Sequence, residues 1–358
     1  MNKEFFTRLE SYVEKYCPYT NIILIAHVQS PRGYLNENQI QCDTTERFSV
    51  EEFHEIYQGI VSAGFYIQSV YFNELDFISD YIEHSNRFKN CLVYNLARNG
   101  VGDNKKTIIP AFCELNSIPY TTSSSLTCAL CRNKYYFSTL LEAHNIPVPR
   151  SWLLDDKGNW SKGTPQYNEM VICKPSSESA SQGINEQSVF PASESKFNLL
   201  KPGNYIVQSY IEGAECEVPV FKINDIIHVL PPIGIDLKGK QILDEDTSEK
   251  YNYGFYLLEN TQSSKTITQI KQYAESAFNL LQMDVYGRID FRIDKNGNPY
   301  IFDISTTPYT TLHSSIAFVF SQLGHSYPDI YKTIIIGALQ KHHQNDKNWR
   351  SDNKNPRP

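Results

Sequence analysis

The dipeptide Asn296-Gly297 constrains this chain more than any other pair of neighbours. Asn-Gly most readily supplies the positive φ angles of a two-residue type I′ turn, and alternating residues flank it from Tyr286 to Pro308. The pattern predicts a β-hairpin whose register can be counted outward from the turn. With Lys295 facing Asn298, Asp290 falls opposite Asp303 and Arg288 opposite Ser305. Strand side chains alternate, so Arg288, Asp290, Asp303 and Ser305 share one face, while Ile289, Phe291, Phe302 and Ile304 cover the other. Two carboxylates facing each other across a hairpin repel. A divalent cation between them reverses that sign, and Mg2+ takes one or two carboxylates together with phosphate oxygens. The competing reading is an exposed hairpin whose charges face water, and spacing alone does not choose between the two.

A chain of 358 residues exceeds one small core, so two or three domains are expected. The formal charge is −7 and no basic run stands out, which argues against nucleic acid as a partner. Charges interrupt the first ten residues where a signal peptide needs an apolar segment, and no apolar run approaches the roughly 20 residues that span a bilayer. The expectation is a soluble, cytoplasmic protein with no membrane partner. Eight cysteines are scattered, and Cys128-Ala-Leu-Cys131 is the lone CxxC pair with no His cluster beside it. They read as buried free thiols rather than a zinc or redox site.

Residues 3–16 have helical spacing, and the apolar run 21–27 reads as a buried parallel strand. A polar loop follows over about 29–45. Ser49 with Glu52 forms a capping-box signature for a helix over 49–63. Strands at 66–72 and 91–95, with a helix between, make the first part an open α/β unit with a parallel sheet. Such sheets bind ligands beyond the carboxyl ends of their strands, which brings His27 and Arg98 forward as candidates. A histidine there is more often a packed, hydrogen-bonded residue. A helix is expected over 126–145, carrying Lys134. Met170 to Pro175 is a strand with Lys174 near its end, followed by the serine-rich loop 176–183. Small residues beside a strand lysine can close over phosphates, although no Walker A pattern is present and a flexible surface loop is the plainer reading. Two strands joined through Glu212-Gly213, a strand at 230–236, a long polar segment over 238–252, and helices at 266–282, 314–323 and 327–341 complete the pattern. The polar end, 342–358, reads as a disordered tail.

Taken together, Ile118-Pro-Tyr-Thr, Cys173-Lys-Pro, Tyr210-Ile-Glu-Gly-Ala-Glu215, Gly287-Arg-Ile-Asp290 and Asp303-Ile-Ser-Thr-Thr-Pro308 resemble, in order and spacing, the D-alanine–D-alanine ligase branch of the ATP-grasp superfamily. The resemblance is clearest from Cys91 to the last helix. It implies an α/β ATP-grasp fold: an N-terminal parallel-sheet domain (1–124), then two α+β subdomains (125–200 and 201–342) that clamp ATP, and the tail (343–358). It implies that Lys134 and Lys174 neutralise ATP phosphates and that Ser181 covers them. By the same resemblance Gln208, Ser209, Tyr210 and Ile211 form the adenine hinge, and Glu215 holds the ribose hydroxyls. Asp290 and Asp303, with Ser305, match magnesium ligands, so the resemblance favours a metal between the paired carboxylates. Arg288 matches the arginine that stabilises the reacting acyl phosphate. Ser314 falls where relatives grip a substrate carboxylate, and Lys250 lies on a lid loop.

The implied chemistry is ATP- and Mg2+-dependent activation of a small carboxylate as an acylphosphate, then its capture by an amine or amino acid. A homodimer is implied by analogy. Departures fall on the substrate side. Asp303 and Ser305 stand where relatives carry Glu and Asn, and Tyr309 stands where they carry Gly. The glutamate that grips the first D-alanine has only a hint of a counterpart, Glu46. A specialised carboxylate–amine ligase therefore precedes an authentic D-alanine–D-alanine ligase, and an inactive nucleotide-binding homologue comes third.

Overall fold

The computed structural model describes residues 3–29, 46–100, 102–200 and 203–343. The polar loop over 30–45 and the tail 344–358 lie outside the described residues.

The chain opens with α1 (Lys3–Tyr16), then β1 (Asn21–Ala26), α2 (Val50–Ser62), β2 (Tyr66–Tyr71), α3 (Glu74–His84) and β3 (Cys91–Leu96). The strands form a parallel sheet in the order β2-β1-β3. Every residue of β3 is buried, as a strand covered on both faces requires. The capping box at α2 is present: the Ser49 N–H donates to Glu52 Oε2 and the Glu52 N–H to Ser49 Oγ.

After α4 (Ile108–Asn116), the helix expected over 126–145 is two, α5 (Ser125–Arg132) and α6 (Lys134–Ala143). Asn133 breaks them apart. Its extended backbone (φ −86°, ψ 105°) lets its side chain accept from the N–H groups of Tyr135 and Tyr136. An Asn side chain competing for backbone donors is a stop that hydrophobic periodicity does not show. Lys134 thereby opens a helix instead of sitting within one.

A second, antiparallel sheet comprises β4 (Ser151–Leu154), β5 (Trp160–Ser161), β6 (Met170–Pro175), β7 (Val189–Pro191) and β8 (Tyr205–Ser209), with the short α7 (Glu194–Phe197) beside it. A third comprises β9 (Gly213–Ile223), β10 (Ile226–Val229), β11 (Ile233–Asp236), β12 (Gly254–Leu257), β13 (Tyr286–Asp294) and β14 (Pro299–Ser305). The two strands joined through Glu212-Gly213 therefore lie in different sheets, and residues 210–212 cross between them. Gly213 (φ +154°) is required there, because a Cβ would stand 1.9 Å from the Ile293 carbonyl oxygen. The polar segment after β11 carries α8 (Glu245–Glu249). Then α9 (Ser264–Leu280) packs on the third sheet, as does α10 (Ser315–Gln322), and α11 (Tyr327–His343) packs back against the first. None of the described helices is long and apolar enough to cross a membrane.

The hairpin departs from the expected turn in two ways that cancel. Its loop is three residues, Lys295 to Gly297, closed by a bond from the Asp294 N–H to the Asn298 carbonyl. Only Gly297 takes positive φ (+83°); Asn296 does not. The Asp294 carboxylate collects the N–H groups of Asn296 and Asn298 and the Asn298 amide, an Asx-type closure that outcompetes type I′. The pairing therefore starts one residue out of the counted register, with Ile293 opposite Pro299. A β-bulge at Phe302 restores it, so Asp290 does face Asp303 and Arg288 does face Ser305. The bulge also brings Phe302 to the polar face, correcting its expected place among the core residues.

Candidate functional site

Strands β9, β13 and β14 run side by side and set Glu217, Asp290 and Asp303 in one row, with Glu215 opposite Arg292 one step along. The exposed-hairpin reading fails here, since Asp290 is only 6% exposed. Arg288 binds Asp290 through Nε and Nη2, both at 2.8 Å, and its Nη1 lies 3.2 Å from Glu217. Burial, which disfavours the guanidinium charge, is outweighed by these two carboxylates, so Arg288 stays charged. Burial pushes the Asp290 carboxyl up, as do Glu217 and Asp303, with Arg288 opposing.

One cavity of about 710 Å3 is lined by Lys134, Lys174, Ser181, Gln208, Ser209, Tyr210, Ile211 and Glu215, together with Asp303. These are all the residues expected on the nucleotide side, gathered from both antiparallel sheets and α6. Lys134 sits 3.5 Å from Asp303 and donates to the Glu178 carbonyl. Lys174 donates to the Phe302 carbonyl (3.4 Å) and lies over the Phe302 ring. Burial lowers Lys174 to about 8, with Lys134 and Arg292 adding to it against Asp303 and Glu215. An anion placed between the two lysines relieves that penalty.

The residues present fit a nucleotide. Gln208 donates to Ser151 Oγ at 3.0 Å, while its Oε1 is buried without a hydrogen-bond partner among the described residues. Such an orphaned acceptor suits the exocyclic amino group of a purine. They also fit a divalent cation. Three carboxylates share the row with Arg288 and Lys134, and Glu217 Oε2 has no hydrogen-bond partner. No three acidic, His or Cys groups among the described residues are spaced as a complete metal cage. A cation there would take its remaining oxygens from phosphate.

Two expected residues stand apart. Ser314 is the N-cap of α10, accepting from the Ala317 N–H (3.1 Å) and donating to the Thr311 carbonyl (2.7 Å), so its hydroxyl proton is already committed. Lys250 is 68% exposed and pairs with Asp246 one turn back on α8, away from the cavity. Ser305 holds its register position opposite Arg288. His27 is packed, bonded to Glu74, Asn99 and the Arg98 N–H, which is the structural reading of that residue.

Other residues were not singled out by the sequence. Arg292 uses all five N–H donors, to the carbonyls of Ile211, Gly213 and Gln241, to Glu215 Oε2 and to Tyr210 Oη. It ties the crossing between the sheets to Glu215, whose carboxyl burial raises and Arg292 lowers. Alternation carried two residues past Asp290 would have placed Arg292 on the same face. The segment 237–253 closes over the site from the third sheet. Its Tyr251 donates to Glu52 (2.6 Å), which His313 also approaches at 3.2 Å, and Glu245 accepts from the Gly183 N–H. In the serine-rich loop, Ala180 and Ser181 both have positive φ (54° and 57°), bridged by a bond from the Gln182 N–H to the Ser179 carbonyl.

The sequence model of a family described as "D-ala D-ala ligase C-terminus" matches residues 140–336. An uncharacterized protein, y4sG, of Sinorhizobium fredii is 25% identical over 263 residues, covering 71% of this chain and 76% of its own. The D-alanine–D-alanine ligase of Nitrosospira multiformis is 27% identical over 232 residues, covering 62% and 72%. The solved structure of the D-alanine–D-alanine ligase of Bacillus anthracis complexed with ATP superposes with a TM-score of 0.66 at 18% identity, over 91% of this chain and 99% of that one. At that identity the likeness concerns the fold.

Proposed function

Since this chain belongs to the D-alanine–D-alanine ligase family and is an ATP-dependent carboxylate–amine ligase, we propose that it joins a small carboxylate other than D-alanine to an amine or amino acid. The product serves a specialised metabolite or a surface-polymer precursor. The observation that carries the reading is the single cavity that gathers the nucleotide-side residues and ends at Asp303, across the hairpin from Asp290 and its bound Arg288. An inactive homologue would have no need of that row.

A carboxylate oxygen of the first substrate attacks the γ-phosphorus of ATP. The bond to the bridging oxygen breaks, leaving ADP and an acylphosphate. The amine then attacks the acyl carbon, phosphate departs, and the nitrogen loses a proton to give the amide. Lys134 and Lys174 offset the phosphate charge, and Ser181 covers it from the serine-rich loop. Gln208 takes the purine amino group, Ser209 to Ile211 flank the base, and Glu215 takes the ribose hydroxyls. Asp290 and Asp303, with Ser305 at the edge, would hold Mg2+, which screens the transferring phosphate. Arg288 faces the developing oxyanion. Segment 237–253, latched by Tyr251 to Glu52, keeps water from the acylphosphate. Tyr309 narrows the substrate end, its ring against Phe48 and Arg98, which supports a substrate different from D-alanine.

The test is ADP release with Mg-ATP against paired carboxylates and amines, with D-alanine among them, and mass spectrometry of the products. A product equal to the summed masses less water, lost in Arg288→Ala while ATP binding persists, supports the reading. ADP release that never depends on an acceptor pair overturns it.

A further inference from the structure

Beyond the nucleotide cavity, the strongest unexplained feature is the charge around Glu46. This carboxylate is 2% exposed and is ringed by cations. Arg132 Nη2 lies at 2.8 Å, Lys106 Nζ at 2.9 Å, Lys105 Nζ at 3.5 Å and Arg98 Nη1 at 3.9 Å. Glu178, from the serine-rich loop, meets Arg132 and Lys105 at 3.1 Å each. Burial alone would raise the Glu46 carboxyl, but Lys106, Arg132 and Arg98 hold it well below the usual carboxylate range.

We propose that this end of the site receives a carboxylate substrate bearing a second negative charge, rather than one bearing an α-ammonium group. The inference rests on the ligase reading above and names the substrate class of that same site.

Position comes first. Glu46 and Arg98 follow β1 and β3, at the carboxyl ends of the parallel strands where such sheets bind ligands. The Arg98 guanidinium packs against the rings of both Phe48 and Tyr309, 4.7 Å from each centroid, and bonds to the Thr307 carbonyl two residues beyond Ser305. Lys134 touches both the Asp303 carboxylate and the Glu178 backbone, so the cluster adjoins the reacting row.

Charge comes second. Without counting Lys105, three cationic side chains, Arg98, Lys106 and Arg132, face two carboxylates, Glu46 and Glu178, among the described residues. Burial, with Arg98 and Arg132, lowers Lys106 to about 7 even though Glu46 stands beside it. An ammonium brought here meets a carboxylate ion-paired through both oxygens, although its Oε2 accepts no hydrogen bond among the described residues, and a field of its own sign.

Unspent donors come third. Arg98 and Arg132 are 5% and 6% exposed, and among the described residues the Nε of each is buried with no hydrogen-bond partner, as is Thr307 Oγ1. Buried donors of this kind are normally satisfied, and an anionic group supplies what is missing.

The test is thermal unfolding of the full chain with Mg2+ and a non-hydrolysable ATP analogue, at constant ionic strength. Malonate, succinate, glutarate and phosphonoacetate are compared with propionate and both enantiomers of alanine. The expected result is stabilisation by at least one doubly charged acid and none by alanine or propionate. Glu46→Gln removes a competing anion, so that acid should bind about tenfold more tightly, and Lys106→Met should weaken it about tenfold. A carboxylate that grips an ammonium gives the opposite sign for Glu46→Gln. Should Glu46→Gln not fold, the wild-type ligand profile and Lys106→Met decide. Tighter binding of alanine than of every doubly charged acid, or no stabilisation by any of them, overturns the proposal. A doubly charged acid that binds yet gives no amide with any amine instead sinks the ligase reading alone. Amide made from alanine, and lost in Glu46→Gln, upholds the ligase reading and sinks this one.

Discussion

Replacing Arg292 by methionine isolates what holds the nucleotide cleft in shape. The guanidinium spends five donors on Ile211, Gly213, Gln241, Tyr210 and Glu215, so the variant strands a buried carboxylate and three carbonyl oxygens at once. Breaking one partner of a buried ion pair costs about 3–5 kcal/mol. The lost bonds to neutral oxygens would add about 1 kcal/mol each if no water replaced them, but the adjoining cavity admits water. A net loss of about 4 kcal/mol is expected. For a chain of 358 residues, at about 2.1 cal/mol/K of unfolding entropy per residue, that lowers Tm by about 5 °C. With Arg292 gone, Lys174 alone opposes the upward push of burial and of Asp290 on Glu215, so its carboxyl rises further and ATP binding weakens. The assay is calorimetric unfolding of Arg292→Met, Glu215→Gln and the double variant, with ATP titrations. The double variant should recover at least 1 kcal/mol relative to the sum of the singles, because the neutral amide is no longer an uncompensated charge. A single variant within about 1 °C of the parent, or strict additivity in the double, refutes this account.

Three further outcomes follow from the geometry. Asp303→Asn should lower ADP formation about a hundredfold and abolish its response to Mg2+ titration; activity within threefold of the parent would remove Asp303 from the metal row. Ala180→Gly should stabilise the fold by about 0.5–1 kcal/mol, because alanine is held at φ +54°, and a lower Tm would contradict that. Tyr251→Phe should speed proteolysis within 237–253. Burial would raise the Glu52 carboxyl, but its bonds from His313, Tyr251 and Ser49 lower it. The latch is therefore fully present above the unfolded carboxyl value, about 4.3, and is lost as pH falls through the depressed folded value. The proteolytic difference between parent and variant should shrink over that acidic window, and a difference that grows there would count against the latch.

How far the sequence carried depended on whether structure was set locally. The α2 capping box and the strands of the first sheet follow from periodicity and a few hydrogen bonds, and both were readable. The hairpin register was readable too, though for an incomplete reason. Asp294 to Asn298 repeats the pattern of Asp155 to Asn159, Asp-x-x-Gly-Asn, which closes β4 on β5 with the same bonds and a glycine at φ +82°. That internal echo marked the longer loop, but the compensating bulge at Phe302 has no local signature, because it depends on what packs across the sheet. The break at Asn133 was hidden for a similar reason: its side chain chose between helix and cap according to neighbours, including Asp103, that lie far away in sequence. The cations around Glu46 come from three separate loops and helices, so no spacing rule could assemble them. Ser314 shows the reverse failure, since a motif position was kept while its hydroxyl was given to a helix end.

The interlocked charges around Glu46 bear on how such a pocket changes over generations. Removing Glu46 leaves its buried cations without that relief, and a penalty of about 3–5 kcal/mol is a large part of a typical fold's margin of about 5–15 kcal/mol. Exchanging several members together for apolar residues can be close to neutral. Descendants drifting one substitution at a time therefore meet a valley wherever Glu46 is lost before its cations. Lineages that take a different acid should differ at Glu46, Arg98, Lys106 and Arg132 as a block.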